Sequence, residues 1–528
     1  MPWSFRVQAT QPLGDVPPLA HAVMGDTAGN LLAAGRRLQR KLEALSPHPL
    51  LRRTMSTLNS GIGLDHGAGI YRVAADGTVA YEFHLLDQML DVMVGPRSVP
   101  FFGLDFMPLE LSSGAPDRLT APWMKLDRFP PRDYGRWHDF IFAVVTHCVE
   151  RYGRASVAGW FWDIWNEPDL EFYWLGTFDE FLHTYDTAAA AVKAALPEAK
   201  VGGCGVTDHR RPWLEQFLDH CTRGRNFHTG GVGAPLDFIT FHVKGGETGK
   251  LGNFPDPYAA RDYPVRGPSL STLLDNIRWA MDRLAACPGL EGVPVYITEC
   301  DIDWGVSTSI YHNPNLRYRN NEYFPAFQCA LMAELLPLRR AYARNPIQAA
   351  CLDTFYFPGA RVFEGQRVLV TGESIDLPIL NGLRLLGQLG ETQLAVTPLD
   401  QAGDRQPAPR LLATRAGDGA LQVMAVNFAE ALDYADPADV RLTLVGLSAA
   451  TWRVAHTRID RDHSNAHTVW QALGRPVPPD EDQMAALQAR MGLEPYEPDQ
   501  RLEAPAGTLT LTTTLPPHAV SLWVLRPA

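Results

Sequence analysis

Two short stretches carry the residues best suited to chemistry. Phe161-Trp-Asp-Ile-Trp-Asn-Glu-Pro168 sets an Asn-Glu pair after an aromatic-rich apolar run, and Val295-Tyr-Ile-Thr-Glu299 sets a Glu after a second apolar run. Two carboxyl groups brought to one cleft can break a glycosidic bond: one stays protonated and donates to the departing oxygen, while the other is ionised and attacks the anomeric carbon. Their environments must push the two pKa values apart. Desolvation and nearby negative charge raise one, and hydrogen bonds to the ionised form keep the other low. Asn166, directly before Glu167, suits a hydrogen bond to a sugar 2-hydroxyl, a contact that strengthens as positive charge develops on the ring. Either Glu alone reads as a solvated or ion-paired loop residue; the pair is what carries information.

Such a pair needs a scaffold that points both groups into one mouth. From about residue 20 to 390 short apolar runs alternate with longer amphipathic segments. Strand-like runs lie near 20–24, 53–59, 99–106, 158–166, 199–203, 236–243, 293–299 and 350–357, with helix-like segments near 29–45, 82–94, 132–152, 177–195, 210–221, 269–285, 320–343 and 378–389. Eight consecutive β-α units predict an α/β chain folded as a (β/α)₈ TIM barrel enlarged by insertions. In that fold the site forms at the carboxyl ends of the strands, so Glu167 at the end of the fourth and Glu299 at the end of the seventh face each other. A doubly wound sheet is the alternative, but no GxGxxG follows an early strand. Beyond about residue 390 the texture changes to period-two runs such as Leu421–Val426, Val440–Val445, Thr508–Thr512 and Val520–Leu525, which predict a C-terminal antiparallel β-sandwich. The expected organisation is an N-terminal segment 1–19 that joins the sandwich, a barrel over 20–390 and the sandwich over 391–528, with 397–409 as linker.

Composition narrows the class. The 528 residues carry 47 Lys+Arg against 59 Asp+Glu, a net charge of −12 that repels phosphate backbones and argues against a nucleic-acid partner. No apolar run approaches the roughly 18–20 residues that cross a bilayer, so no membrane partner is expected. Met1 to Gly14 lacks the charged head and apolar stretch of a secretory signal. The chain as written is therefore expected to be cytoplasmic; a trimmed precursor bound for the periplasm or the exterior would read the same. The seven cysteines are scattered with no CxxC spacing and read as reduced, mostly buried thiols. His463 and His467 have no third ligand near in sequence and read as part of a structural turn, and no His-x-His ends an early strand, so neither metal nor cofactor is expected.

Beyond the two Glu residues, further segments resemble the retaining glycoside hydrolases of clan A, and within it family 39, which includes β-xylosidases and α-L-iduronidases. Pro100-Phe-Phe-Gly-Leu-Asp-Phe-Met-Pro108 with Ser112-Ser-Gly114 is similar to that family's third strand and loop. Val201-Gly-Gly203, Asp237–His242, and Arg458–Asn465 with Trp470 and Leu473-Gly474 are similar to further family segments. The resemblance covers nearly the whole chain. It implies that Glu167 is the general acid/base, Glu299 the nucleophile, Asn166 the 2-hydroxyl contact and His242 a residue facing the same sugar. Two positions depart from the xylosidase members: Asn59, in Thr57-Leu-Asn-Ser60, stands where they carry the His of an Arg-Phe-His-Gly run, and Lys244, in His242-Val-Lys244, stands where they carry the Tyr of His-Pro-Tyr. Lys244 either enters the mouth, to pair with Glu299 or a substrate oxygen, or turns outward to water.

Aromatic faces stack on sugar rings, although aromatics at strand spacing are more often core. On that basis Trp165, Trp162, Trp304, Tyr356 and Phe357 are candidate sugar contacts, with Glu364 and Arg361 in the loop after the eighth strand, and with Asp65 and His66 behind them. The expected activity is that of a retaining, exo-acting glycosidase of the β-xylosidase kind with an oligosaccharide or glycoside substrate. The alternatives are an α-L-arabinofuranosidase or disaccharide-releasing relative, an endo-acting exopolysaccharide hydrolase, and a carbohydrate-binding protein that kept the barrel and lost the chemistry. If Lys244 faces inward, an α-L-arabinofuranoside, a uronide or a substituted pentose is expected to fit better than plain xylose.

Overall fold

The computed structural model describes residues 2–60, 67–120, 125–207, 212–246, 268–311, 313–357, 359–372, 375–399 and 407–528. The barrel strands, taken in order, are Ala22–Asp26, Leu50–Met55, Ser98–Leu104, Phe161–Ile164, Lys200–Val206, Phe238–Lys244, Val295–Asp301, and an eighth in two pieces, Ile347–Ala350 and Leu352–Asp353. Each pairs in parallel with the next, and the eighth closes the ring by pairing its first piece with the seventh strand and its second with the first. Helices follow the strands on the outside. Their amphipathic faces bury Leu38 and Leu42, Phe140 and Val144, Phe181 and Val192, and Leu273 and Ile277 against the sheet. A small hairpin, Tyr71–Val73 with Val79–Tyr81, is inserted after the second strand.

The lumen is filled in layers. Phe101, Phe161 and Phe238, with Tyr296 against them, form an aromatic plug near the amino ends of the strands. Parallel neighbours in register point to the same face. Arg53 is in register with Phe101, and Asp163 lies two residues beyond Phe161, so both stand in the lumen above the plug. The sixth strand likewise adds Thr240, His242 and Lys244 above Phe238. The sequence pattern thus changes from aromatic to charged along each inward face, and the change marks where packing gives way to the site.

The first strand of the chain, Trp3–Asp15, lies in the β-domain between Thr392–Pro398 (antiparallel) and Ala438–Val445 (parallel). The nine-stranded sheet is antiparallel apart from that one pair. It curls over a core shared by Trp3, Phe5, Val440, Leu442, Trp452, Leu511 and Trp523, which come from both halves of the sheet. Met424, Val426, Leu522 and Val524 point the other way and join the barrel's core. The stretch 397–409 is not an interdomain linker. Its first two residues end the strand Thr392–Pro398, which pairs directly with Arg410–Arg415, so the stretch connects two strands of the β-domain, with 400–406 outside the described residues.

Candidate active site

The fourth strand stops at Ile164, earlier than the apolar run suggests, and the chain then turns sharply through Trp165 (φ 73°) and Glu167 (φ 48°). Two non-glycine residues in the left-handed region are costly and persist only where the surroundings hold them. Here the Glu167 N–H donates to the Gly205 carbonyl at 3.1 Å, and Gly205 itself sits at φ 60°. The turn swings Glu167 over the mouth while Trp165 is driven inward.

The seventh strand delivers Glu299 by a different device. Tyr296 packs with the lumen plug and Thr298 reaches His242, so even-numbered residues face the lumen. Glu299 and Asp301 also face it, because a register shift between Ile297 and Glu299 relative to the sixth strand reverses the alternation at that point. Such bulges re-aim side chains next to active sites.

The two carboxyl groups are 4 % and 5 % exposed, and each places an oxygen within 4.8 Å of the other and of a His242 ring nitrogen. His242 Nδ1 lies 2.8 Å from Glu167 Oε1 and 3.5 Å from Glu299 Oε1. Burial, followed by the charges of Arg53 and Lys244, holds the imidazole well below its ordinary pKa, so the ring is neutral. Glu167 moves the opposite way: burial, then the Glu299 charge, raise it well above the usual carboxylate range, with Lys244 pulling against them. A carboxyl group held protonated in this way can give its proton to a leaving oxygen.

Two donors, Lys244 and Arg53, reach Glu299, and the His242 ring stands beside them. Lys244 Nζ lies 2.6 Å from Oε2, while Arg53 Nη1 at 3.4 Å and His242 approach Oε1. Lys244 is therefore inward, 5 % exposed, and the solvent-facing alternative is overturned. Its ammonium also bonds Asp301 and reaches Asp353 Oδ2 at 3.3 Å. Glu299, Asp301 and Asp353 have the spacing to hold a cation, and the ammonium fills that place from within the chain. Behind it Arg367 bonds Asp353 and the Asp303 carbonyl, and Arg319 Nε holds Asp303 Oδ2 at 2.8 Å.

Arg53 is fully buried and ties the two halves of the site together. Its Nε bonds Asp163 Oδ2 at 2.8 Å and its Nη2 bonds Asn166 Oδ1 at 3.0 Å. That leaves the Asn166 Nδ2 donors unpaired and buried, available to a sugar hydroxyl.

The remaining expected contacts distribute differently. Trp165 cannot stack on a sugar: it is fully buried, edge-on to Phe106 and Trp174, with Nε1 bonded to the Tyr173 carbonyl, because the left-handed turn points it into the core. Trp162 is likewise core. Asn59 is buried four residues beyond the second strand, its Oδ1 packed so closely on Gly67 that a Cβ there would collide. Trp304 is half-buried, its carbonyl held by Arg319 Nη2 at 2.8 Å. Tyr356, Phe357 and Glu364 are half-buried around a small cavity beyond the eighth strand. Glu364 accepts the Arg361 N–H at 2.7 Å, and the Arg361 guanidinium lies over Tyr311. Asp65 and His66 lie outside the described residues. His463 Nδ1 and N–H both bond Asp460 Oδ1, the structural turn expected there.

Sequence reasoning passed over Arg53, Asp163, Thr298, Asp301, Asp353 and Arg367. The available signal was charge inside apolar strands: Leu50-Leu-Arg-Arg-Thr-Met55, Asp163 amid aromatics, and Glu299, Asp301 and Asp303 at period two.

The chain is similar to several known proteins. The β-xylosidase of Geobacillus stearothermophilus is 26 % identical over 466 residues, covering 87 % of this chain and 84 % of the relative. Human α-L-iduronidase is 30 % identical over 243 residues, 44 % of this chain and 33 % of that one. Among solved structures, a monomeric β-xylosidase from Caulobacter crescentus superposes with a TM-score of 0.78 at 20 % identity, covering 99 % of each chain. A bacterial orthologue of human α-L-iduronidase gives 0.78 at 22 %, covering 100 % of this chain and 84 % of the other. The sequence profile described as glycosyl hydrolases family 39 matches residues 58–497, and the chain belongs to that family.

Proposed function

We propose that this glycoside hydrolase retains anomeric configuration, acts on the end of its substrate, and works by double displacement through a covalent glycosyl-enzyme. The observation that carries the reading is the closeness of the two carboxyl groups, with oxygens within 4.8 Å. Retaining enzymes hold them about 5–5.5 Å apart, whereas inverting enzymes need about 6.5–9.5 Å to admit a water. Glu299 attacks the anomeric carbon as Glu167 protonates the departing oxygen, while Asn166 Nδ2 engages the 2-hydroxyl. Forming the glycosyl ester consumes the Glu299 charge, one of the causes that raise Glu167. Glu167 then remains ionised long enough to deprotonate the water that releases the sugar.

For the sugar, a β-xyloside is the first reading, supported by β-xylosidase relatives that align along most of the chain. An α-L-uronide is the second, supported by α-L-iduronidase relatives that align over nearly half of the chain. Proton NMR of the first-formed product tests the mechanism: retained configuration is expected, and inversion refutes it. Comparing kcat/KM for aryl β-D-xyloside, α-L-arabinofuranoside and α-L-iduronide separates the sugars.

A further inference from the structure

The neutral imidazole of His242 is the only group that touches both catalytic carboxyls among the described contacts, and its orientation decides which oxygen of Glu167 carries the transferable proton. A neutral imidazole has one N–H and one lone pair. Were the hydrogen on Nε2, the Nδ1 lone pair would face Glu167 Oε1 at 2.8 Å and Glu299 Oε1 at 3.5 Å, and the second of these belongs to the group that must be anionic to attack. The hydrogen therefore sits on Nδ1, and the lone pair is on Nε2. That nitrogen lies inside a fully buried residue, and 3.1 Å away is the hydroxyl of Thr298, itself fully buried. Thr298 keeps the inward phase set by Tyr296, and the register shift between Ile297 and Glu299 lets the next residue, Glu299, serve the lumen as well.

We propose that Thr298 is a positioning residue for the acid/base. Its hydroxyl donates to His242 Nε2, fixes the Nδ1–H on Glu167 Oε1, and leaves Oε2 as the oxygen that gives and takes the proton. This rests on the glycosidase reading above and extends it to a residue outside the reacting groups. The charged groups around the pair come from every neighbouring element: Arg53 from the second strand, Asp163 and Asp169 from the fourth and its loop, Lys244 from the sixth, Glu299 and Asp301 from the seventh, and Asp353 from the eighth. Among the described residues none of these groups hydrogen-bonds Nε2, which leaves the Thr298 hydroxyl to hold the tautomer.

Thr298→Val keeps the shape and removes the donor, and Thr298→Ser restores it. Nitrogen-15 NMR of histidine-labelled protein, with the His242 signal assigned by its loss in His242→Gln, should show the Nδ1–H tautomer in wild type and in Thr298→Ser. Thr298→Val should show loss of that single tautomer. With the imidazole free to accept from Glu167, protonated Glu167 is favoured and its proton is held on the wrong oxygen. The alkaline limb of kcat/KM should then move up, and aryl glycosides with poor leaving groups should lose about 10-fold more activity than activated ones. An unchanged tautomer in Thr298→Val, or an equal loss across all leaving groups with an unmoved pH limb, overturns the proposal. The tautomer measurement needs no turnover, so it fails or stands apart from the glycosidase reading, which falls instead if wild type cleaves no glycoside.

Discussion

Replacing Lys244 with Met removes the charge while keeping most of the side chain's length, and the surrounding geometry sets the consequences. At 2.6 Å the ammonium and Glu299 Oε2 attract by about 6 kcal/mol at an effective dielectric near 20, and Asp301 and Asp353 add to the field. Desolvation offsets much of that attraction, and breaking one side of a buried ion pair costs about 3–5 kcal/mol net, which is the expected loss of stability. Glu299 also loses a charged donor, so kcat/KM should fall about 10²-fold. The loss should be the same for β-xyloside, α-L-arabinofuranoside and α-L-uronide. The reason is that the three N–H bonds of the ammonium are already directed at Glu299, Asp301 and Asp353, leaving none for a sugar. The pH dependence follows from the carboxylates left behind. Burial, Asp301 and Glu299 already hold Asp353 well above the usual range against the pull of Lys244, so in the variant it moves up further. A carboxyl raised further in the folded variant than in the wild type lowers the variant's relative stability as pH climbs, so the deficit should be larger at about pH 8 than at about pH 5. Thermal unfolding across that range and side-by-side kinetics on the three sugars decide the matter. A changed ranking of sugars would show that Lys244 binds substrate directly, and the reasoning from its saturated donors would be refuted.

Glu167→Ala should slow substrates with poor leaving groups by about 10²–10⁴-fold and activated aryl glycosides far less, with azide rescuing the second step; equal losses would reassign the acid. Carbon-13 titration of Glu167 should show a lower pKa in a trapped 2-fluoroglycosyl-enzyme than in the free enzyme, because the Glu299 charge that raises it is then neutralised. Asp105, pushed up to about 7 by burial, makes the fold less stable as pH rises from about 4 to 7, so Asp105→Asn should raise the Tm at pH 8 more than at pH 5. An equal Tm change at both pH values would remove Asp105 from that dependence.

The barrel and the paired carboxylates of the candidate site were legible because they leave period and composition signals: eight apolar runs, and two Glu residues at the ends of two of them. What the sequence hid was phase and direction. Nothing in Val295-Tyr-Ile-Thr-Glu299 announces that the alternation reverses at the Glu, because a bulge is set by pairing with the neighbouring strand. Trp165 looked available because alternation along a strand would present it, but a left-handed turn replaced the strand at that point. Arg53 was hidden for a different reason. A charged residue in an apolar run reads as an edge or an error of register until its partners are known, and those partners, Asp163, Asn166 and Glu299, come from two distant strands and the loop after one of them.

The same partners explain why Lys244 is a coupled feature of this chain. The β-xylosidases that the sequence resembles carry a tyrosine at this position, and a neutral hydroxyl introduces no charge there. A buried ammonium needs counter-charges, and here they form a chain: Lys244 to Asp301 and Asp353, Asp353 to Arg367, Arg367 to the Asp303 backbone, and Asp303 to Arg319 and Tyr318. Every link is at least nine-tenths buried. Exchanging Lys244 for tyrosine alone would leave Asp301 and Asp353 short of a positive neighbour in a low dielectric, so the nucleophile's surroundings change charge as a set or not at all. In this chain the identity of the residue that orients Glu299 is thus bound to the ends of the sixth, seventh and eighth strands together.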